Sequence, residues 1–260
     1  MQHAASIDPS TLPVRSNQAP TNWHADVGNR RYPRRRQWDY HLLRILLHDL
    51  ERVLPTLVPP GGLVLDVYCG AKPYVDLLPA GSRCIGLDVK DTFGMADVVT
   101  TDFLPFTDSS FDGVMSTQAF YYTPDPVHAV SELRRVLRPG GRIVLTVNFV
   151  YPYARDTIEH RWTEANLRRL FDGWDDVEVK EQGGRGVTWA VVTGLILSSG
   201  VARAAKGVPY LAVPLRGLAK LAYRVCNAIA AGVDAADARW RVSGERLPAN
   251  LMLTARRPAD

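Results

Sequence analysis

Apolar residues recur along the chain in two alternating rhythms. Trp38, Leu42, Ile45, Leu46, Leu50 and Val53 repeat at three- and four-residue intervals, the spacing of one helix face, and Pro55 stops the pattern. Next comes a short continuous run, Leu63-Val64-Leu65, closed by Asp66; such runs suit parallel strands buried on both faces. Arg83 to Val89, Asp97 to Thr100 and Phe111 to Thr117 read as further strands. Asp125 as N-cap and Pro126 at the first position then open a helix. Val130, Leu133, Val136 and Leu137 are its buried stripe, and Gly140-Gly141 are expected to end it. Arg142 to Phe149 predicts a fifth strand, Thr163 caps a helix over Ala165 to Phe171, and Val177 to Lys180 and Asn250 to Ala255 predict the last two strands. Strands alternating with helices predict an α/β fold built on a mainly parallel sheet.

Acids stand where two of these strands end. Asp66 closes the first and is followed by Cys69-Gly70-Ala71, small residues that let backbone approach a ligand, and by Pro73, placed to open a helix. Strand, acid, small-residue turn and helix is the layout of a nucleotide or nucleoside site at the carboxyl edge of a doubly wound sheet, and also that of an ordinary strand-to-helix turn. Asp88 ends the second strand about twenty residues on, and a carboxylate there can accept from both hydroxyls of a ribose. No G-x-G-x-x-G is present, which argues against a dinucleotide-dependent oxidoreductase.

Leu63 to Tyr74, LVLDVYCGAKPY, resembles the first motif of class I S-adenosylmethionine-dependent methyltransferases, D-x-G-x-G-x-G, in its D-x-G-C-G-x-K-P-Y variant. Gly70 matches the central glycine, Tyr68 stands in place of the first and Lys72 of the third. Asp102-Phe103-Leu104-Pro105-Phe106, with Ser109-Ser110-Phe111-Asp112, resembles the family's D-x-x-x-L-P-F…S-F-D run, and ELRRVLRPGGRIVLTV resembles E-x-x-R-V-L-x-P-G-G. The resemblance implies a Rossmann-like, seven-stranded, mainly parallel sheet with an antiparallel last strand, and S-adenosyl-L-methionine as cofactor. It implies that Asp66, Tyr68, Cys69, Gly70, Asp88, Val89, Asp102, Phe103, Thr117 and Gln118 hold that cofactor. Asp102 would accept from the adenine amino group, with Thr101 as the other register. In QAFYYTPDP, Tyr121 and Tyr122 stand where relatives carry Glu and His; their hydroxyls either face the acceptor or fill its wall. Tyr151-Pro152 and Arg161-Trp162-Thr163 match a family subset in the loop after the fifth strand. His160 beside them is the candidate general base for an oxygen acceptor, or else a surface histidine.

The rest of the chain departs from that domain. Residues 1–37 read as an arm, Pro-spaced and mobile to about Gly28, then basic, with five arginines between Arg30 and Arg36. That run is either an anion site or a solvated segment before a helix. Residues 38–260 read as the methyltransferase domain, interrupted at 183–246 by a helical insertion whose apolar stretches are punctuated by Arg203, Lys206, Arg216, Lys220 and Arg224. The insertion is expected to be a lid, a homodimer face or a peripheral membrane surface, its stretches too broken to span a bilayer. The resemblance implies a small-molecule acceptor; a net charge of +4 argues only weakly for acidic partners, and no nucleic-acid module is present, so nucleic acid is not expected. Cys69, Cys84 and Cys226 form no C-x-x-C pair, which excludes a disulfide framework or a zinc site of known spacing and fits a reducing, cytoplasmic setting. No secretion signal is expected. Beside S-adenosylmethionine-dependent methyl transfer to a small hydrophobic molecule, the sequence leaves open a catalytically inactive scaffold of the same fold.

Overall fold

The structure, a computed structural model, describes residues 6–13, 30–100, 104–151, 159–208, 210, 212–240 and 246–259. Five strands pair in parallel: β1 (Leu63–Val67), β2 (Arg83–Asp88), β3 (Val98–Val99), β4 (Phe111–Thr117) and β5 (Leu137–Asn148). β7 (Asn250–Arg256) runs antiparallel between β5 and β6 (Asp175–Gln182), giving one sheet in the order β3-β2-β1-β4-β5-β7-β6. The order reverses at β1, whose neighbours are β2 and β4. The crevice of an open α/β sheet lies at that reversal, beyond the carboxyl ends of the strands.

Alternating side chains cover two faces. On one, Leu65, Ile85, Val114, Leu145 and Leu253 pack with Val130, Leu133 and Val136 of α2 (Pro126–Val136) and Leu167 of α3 (Glu164–Leu170). On the other, Val64, Cys84, Met115, Val144 and Met252 meet Leu43, Leu46 and Leu50 of α1 (Tyr40–Val53). The expected caps form: Asp125 accepts from the His128 amide at 3.0 Å and Thr163 from the Asn166 amide at 3.3 Å. Between β6 and β7 lie two long helices, α4 (Arg185–Gly207) and α5 (Ala212–Trp240). Val187 and Val191 of α4 pack on Leu42, the far side of α1, and Gly194 lets α4 approach Trp38, where a Cβ would meet that residue's Cβ at 2.5 Å. By length and composition α4 is long and apolar enough to cross a membrane, contrary to the expected interruption, because glycine and serine within a helix weaken its hydrophobicity only slightly.

Other expectations need correction. Pro73 opens no α-helix; a single 3-10 turn, Val75–Leu77, follows it. Tyr74 and Val75 are drawn into the core beside Val64, and a turn closed by Ser82 N to Pro79 O, 3.1 Å, uses the remaining residues before β2, leaving no length for a helix. Nor do Gly140-Gly141 end α2. The helix stops at Val136 and β5 begins at Leu137. Its last carbonyls are satisfied from elsewhere instead: the Ser109 and Ser110 amides donate to Arg135 O and Val136 O, each at 2.8 Å, and Arg257 donates to Arg134 O at 3.0 Å. At the N-terminus, residues 6–13 of the arm are tied down: the Ile7 amide donates to Pro105 O at 2.7 Å, and Arg83 donates to Ser10 O and Leu12 O.

Candidate active site

The turn after β1 is fastened to β2. The Cys69 amide donates to Leu87 O at 3.0 Å and the Gly70 amide to Asp88 Oδ2 at 2.9 Å, while Asp88 Oδ1 takes the Val89 amide at 2.8 Å. Each carboxylate oxygen so engaged keeps a second lone pair. Gly70 has φ +51, and a Cβ built there meets only the Phe93 ring edge at 3.9 Å. Open space thus lies over the central glycine of the motif. Asp66, Cys69, Gly70 and Asp88, expected from the sequence to share a site, are brought together here.

Tyr68 adopts φ 59, the left-handed conformation a glycine would take without penalty. Its hydroxyl accepts from Thr123 Oγ1 at 3.2 Å, which holds the ring toward the loop between β4 and α2. There it lines a cleft of about 190 Å³, together with Leu87, Val89, Leu104 and Phe120. Val89 is about half exposed, at 48 %, and so offers an apolar face to solvent. Asp102 and Phe103 lie outside the described residues, as does Thr101.

Behind the turn lies a group that the motif reading passed over. Lys72, in the place of the third glycine and with φ 49, is fully buried. Its Nζ donates to Asp97 Oδ2 at 2.5 Å and Cys84 O at 3.1 Å, and the Gly86 amide donates to the same Asp97 oxygen at 2.8 Å. Gly86 is required: a Cβ there would stand 2.3 Å from Lys72 Cε. Burial works to lower the Lys72 pKa, but Cys84 and the Asp97 carboxylate prevail and hold it above the usual value. Asp66, 2 % exposed, has one carboxylate oxygen without a partner among the described residues. Burial pushes its pKa up to about 7, with Lys72 opposing and Asp88 adding to the rise. Burial likewise holds the Cys69 thiol well above its ordinary range, so it packs as a neutral group.

On the other side of β4, Gln118 has φ 53 and every amide atom engaged. Its Oε1 accepts from Arg30 at 2.8 Å, its Nε2 donates to Asn148 Oδ1 at 3.2 Å, and its backbone amide is shared by Thr146 O and Thr146 Oγ1. Thr117, which precedes it, is only half-buried. The role of Arg30 was hidden in the basic run, because nothing in sequence spacing ties residue 30 to residue 118. Tyr121 is buried and Tyr122 is 45 % exposed, with ring centroids 4.2 Å apart. Burial, then the hydrogen bond with Tyr122, holds the Tyr121 phenol far above its normal pKa, so it keeps its proton. The Arg161 guanidinium lies 5.6 Å over the Tyr121 ring, and the Tyr151 ring is 6.5 Å away. The His160 amide donates to Tyr121 O at 2.8 Å. The His160 ring stacks beside Trp162 at 5.5 Å, its Nε2 buried without a partner among the described residues. The histidine is thus clipped to the tyrosine turn but does not line the cleft beside Tyr68.

This arrangement fits an adenosyl group bearing a charged sulfur. A glycine turn with open space, a carboxylate with free lone pairs at the β2 end and an apolar cleft beside it are the features such a group needs. Among the described residues no cluster of His, Cys, Asp and Glu suits a metal ion.

Comparison with known proteins agrees. Residues 65–145 match the family described as "Methyltransferase domain". The chain is 33% identical over 124 residues to cycloartenol-C-24-methyltransferase 1 of Oryza sativa subsp. japonica, covering 40% of this chain and 36% of that one. It is 31% identical over 135 residues to 2-methyl-6-phytyl-1,4-hydroquinone methyltransferase of Synechocystis sp., covering 45% and 41%. The matched segment therefore spans less than half the length of these curated relatives. Among solved structures, the [4+2]-cyclase SpnF aligns with TM-score 0.51 at 19% identity, over 85% of this chain and 83% of that one. A protein of Galdieria sulphuraria described as a sarcosine dimethylglycine methyltransferase aligns with TM-score 0.51 at 16% identity, over 85% and 87%. These two likenesses show the fold alone; one of them is a cyclase, so the fold by itself does not choose a reaction.

Proposed function

We propose that the chain is an S-adenosylmethionine-dependent methyltransferase acting on a small, hydrophobic acceptor. The observation that carries this reading is the fastening of Gly70 to Asp88 inside the segment that matches a methyltransferase domain. In such a site the two lone pairs left on Asp88 would take the ribose hydroxyls, and Tyr68, Leu87, Val89 and Leu104 would wall the adenine. Asp102 would take the adenine amino group, as the resemblance implies. The bound cofactor supplies a methyl group already activated by the positive sulfur, which leaves the chain to align an acceptor and exclude water. Tyr121, which keeps its proton, would donate a hydrogen bond to orient the acceptor, and His160 would remove the proton of an oxygen acceptor. A hydrophobic acceptor is supported by the cycloartenol and 2-methyl-6-phytyl-1,4-hydroquinone in the relatives' names, and the two apolar helices before β7 would cover it.

Calorimetry with S-adenosylhomocysteine tests the site. Asp88→Ala is expected to weaken binding by about 2 kcal/mol, roughly 30-fold, the scale of hydrogen bonds to a charged group. Unchanged affinity in a folded variant would remove Asp88 from the site. Tyr68→Gly relieves a backbone penalty of about 1 kcal/mol while opening the cleft, and its affinity is expected to stay within about threefold of wild type. A wild type that binds nothing, with binding gained in Tyr68→Gly, would show instead that the tyrosine fills the pocket, as an inactive scaffold would require.

A further inference from the structure

A second cavity, of about 490 Å³, lies between residues 30–39, Tyr151 beyond β5, and helices α4 and α5. Arg30, Arg36, Arg216 and Lys220 all line it, and among the described residues the one acid on its wall is Asp39. The cations come from two segments far apart in sequence, so the fold gathers them. Asn227 of α5, 4 % exposed, donates to Arg35 O at 3.1 Å and Gln37 O at 2.9 Å. That clamp fixes the backbone on both sides of Arg36 against α5. Arg216 and Lys220 are four residues apart on α5 and share one face, where two like charges repel unless an anion lies between them. Among the described residues no carboxylate is paired with Arg36, Arg216 or Lys220; the salt bridges of the chain are formed elsewhere.

The cavity adjoins the site described above. Arg30 lines it and also donates to Gln118 at the end of β4. Tyr151 lines it, and its ring is 6.5 Å from that of Tyr121. Beside the Arg216–Lys220 face, α5 carries a separate stripe of Leu218, Leu221, Val225 and Ile229, all exposed. Four cations against one acid match a doubly charged anion better than a carboxylate, and a phosphate monoester carries about −1.5 to −2 charges at neutral pH. We propose that this cavity binds a phosphate group on the methyl acceptor, holding it while the rest of the acceptor reaches past Tyr151 toward the cofactor turn. The proposal rests on the methyltransferase reading for the word acceptor, but not for the anion site itself.

The test is calorimetry of the full chain with inorganic phosphate, with dodecyl phosphate below its micelle concentration and with uncharged dodecyl maltoside, alongside a separate titration with S-adenosylhomocysteine. The variants are Arg36→Ala, Arg216→Ala and Lys220→Ala, none of which touches the cofactor turn. At least one phosphate probe is expected to bind wild type, with each variant weakening it about tenfold and S-adenosylhomocysteine affinity held within twofold. Binding of both phosphates alike supports the site with a soluble phosphate as its source. Binding of dodecyl phosphate alone supports it with a lipid-like acceptor lying on the α5 stripe. Phosphate binding that all three variants retain, no binding of either phosphate, or maltoside binding as tight as dodecyl phosphate overturns the proposal. Association with anionic phosphatidylglycerol vesicles without binding of either phosphate also overturns it, in favour of a membrane-facing surface. Loss of S-adenosylhomocysteine binding with phosphate binding kept would sink the methyltransferase reading and leave the anion site standing.

Discussion

Lys72→Met is expected to destabilise the fold by about 3–5 kcal/mol, the cost of leaving a buried charge without its counter-ion. Methionine keeps most of the lysine's volume, so the loss reports charge rather than packing. The Asp97 carboxylate, 1 % exposed, would retain the Gly86 amide but lose the ammonium at 2.5 Å. Urea denaturation of Lys72→Met and of the double variant Lys72→Met/Asp97→Asn measures this. The double variant removes both charges and should recover most of the loss, because a buried pair replaced by neutral groups is often near neutral in stability. A double variant as unstable as the sum of its singles would mean that each residue acts through its own contacts. The pair matters for the site because it holds the turn carrying Cys69 and Gly70 against β2, the strand that ends in Asp88.

The ligand-free protein is expected to lose about 3 kcal/mol of stability between pH 5 and pH 8 through Asp66 alone. Its pKa is pushed up to about 7 in the fold, against the ordinary 3.8 of an aspartate, chiefly because burial disfavours the charge. The folded state therefore binds the proton more tightly than the unfolded chain does. Stability from this group is fully present below the unfolded pKa, declines as pH rises from about 4 to about 7, and is flat above. Asp66→Asn holds a neutral side chain of the same shape at every pH. The difference in unfolding free energy between Asp66→Asn and wild type should thus grow in favour of the variant by about 3 kcal/mol over that range. Parallel pH profiles for the two proteins would show that Asp66 is ionised in the fold at pH 5.

The seven strands in sequence order, the helices before β1 and after β4 and β5, and the acids at the ends of β1 and β2 were legible in the chain itself. Their signals are local: a buried parallel strand must be continuously apolar, and a helix must repeat every three to four residues. Local signals also located the caps at Asp125 and Thr163. The same reading failed after Pro73, where a proline that can open a helix instead precedes a 3-10 turn, because Tyr74 and Val75 gain more by entering the core than by continuing a helix. It failed again at Gly140-Gly141, where groups distant in sequence, the Ser109 and Ser110 amides and Arg257, satisfy the helix end at Val136. What only the tertiary structure decided is which distant groups meet: Lys72 with Asp97, Arg30 with Gln118, and Arg36 with Arg216 and Lys220 around one cavity. No periodicity encodes these meetings. They depend on how a sheet reversing at β1 and two helices inserted before β7 bring separate segments to one edge, and on the rule that a charge taken out of water must find a partner there.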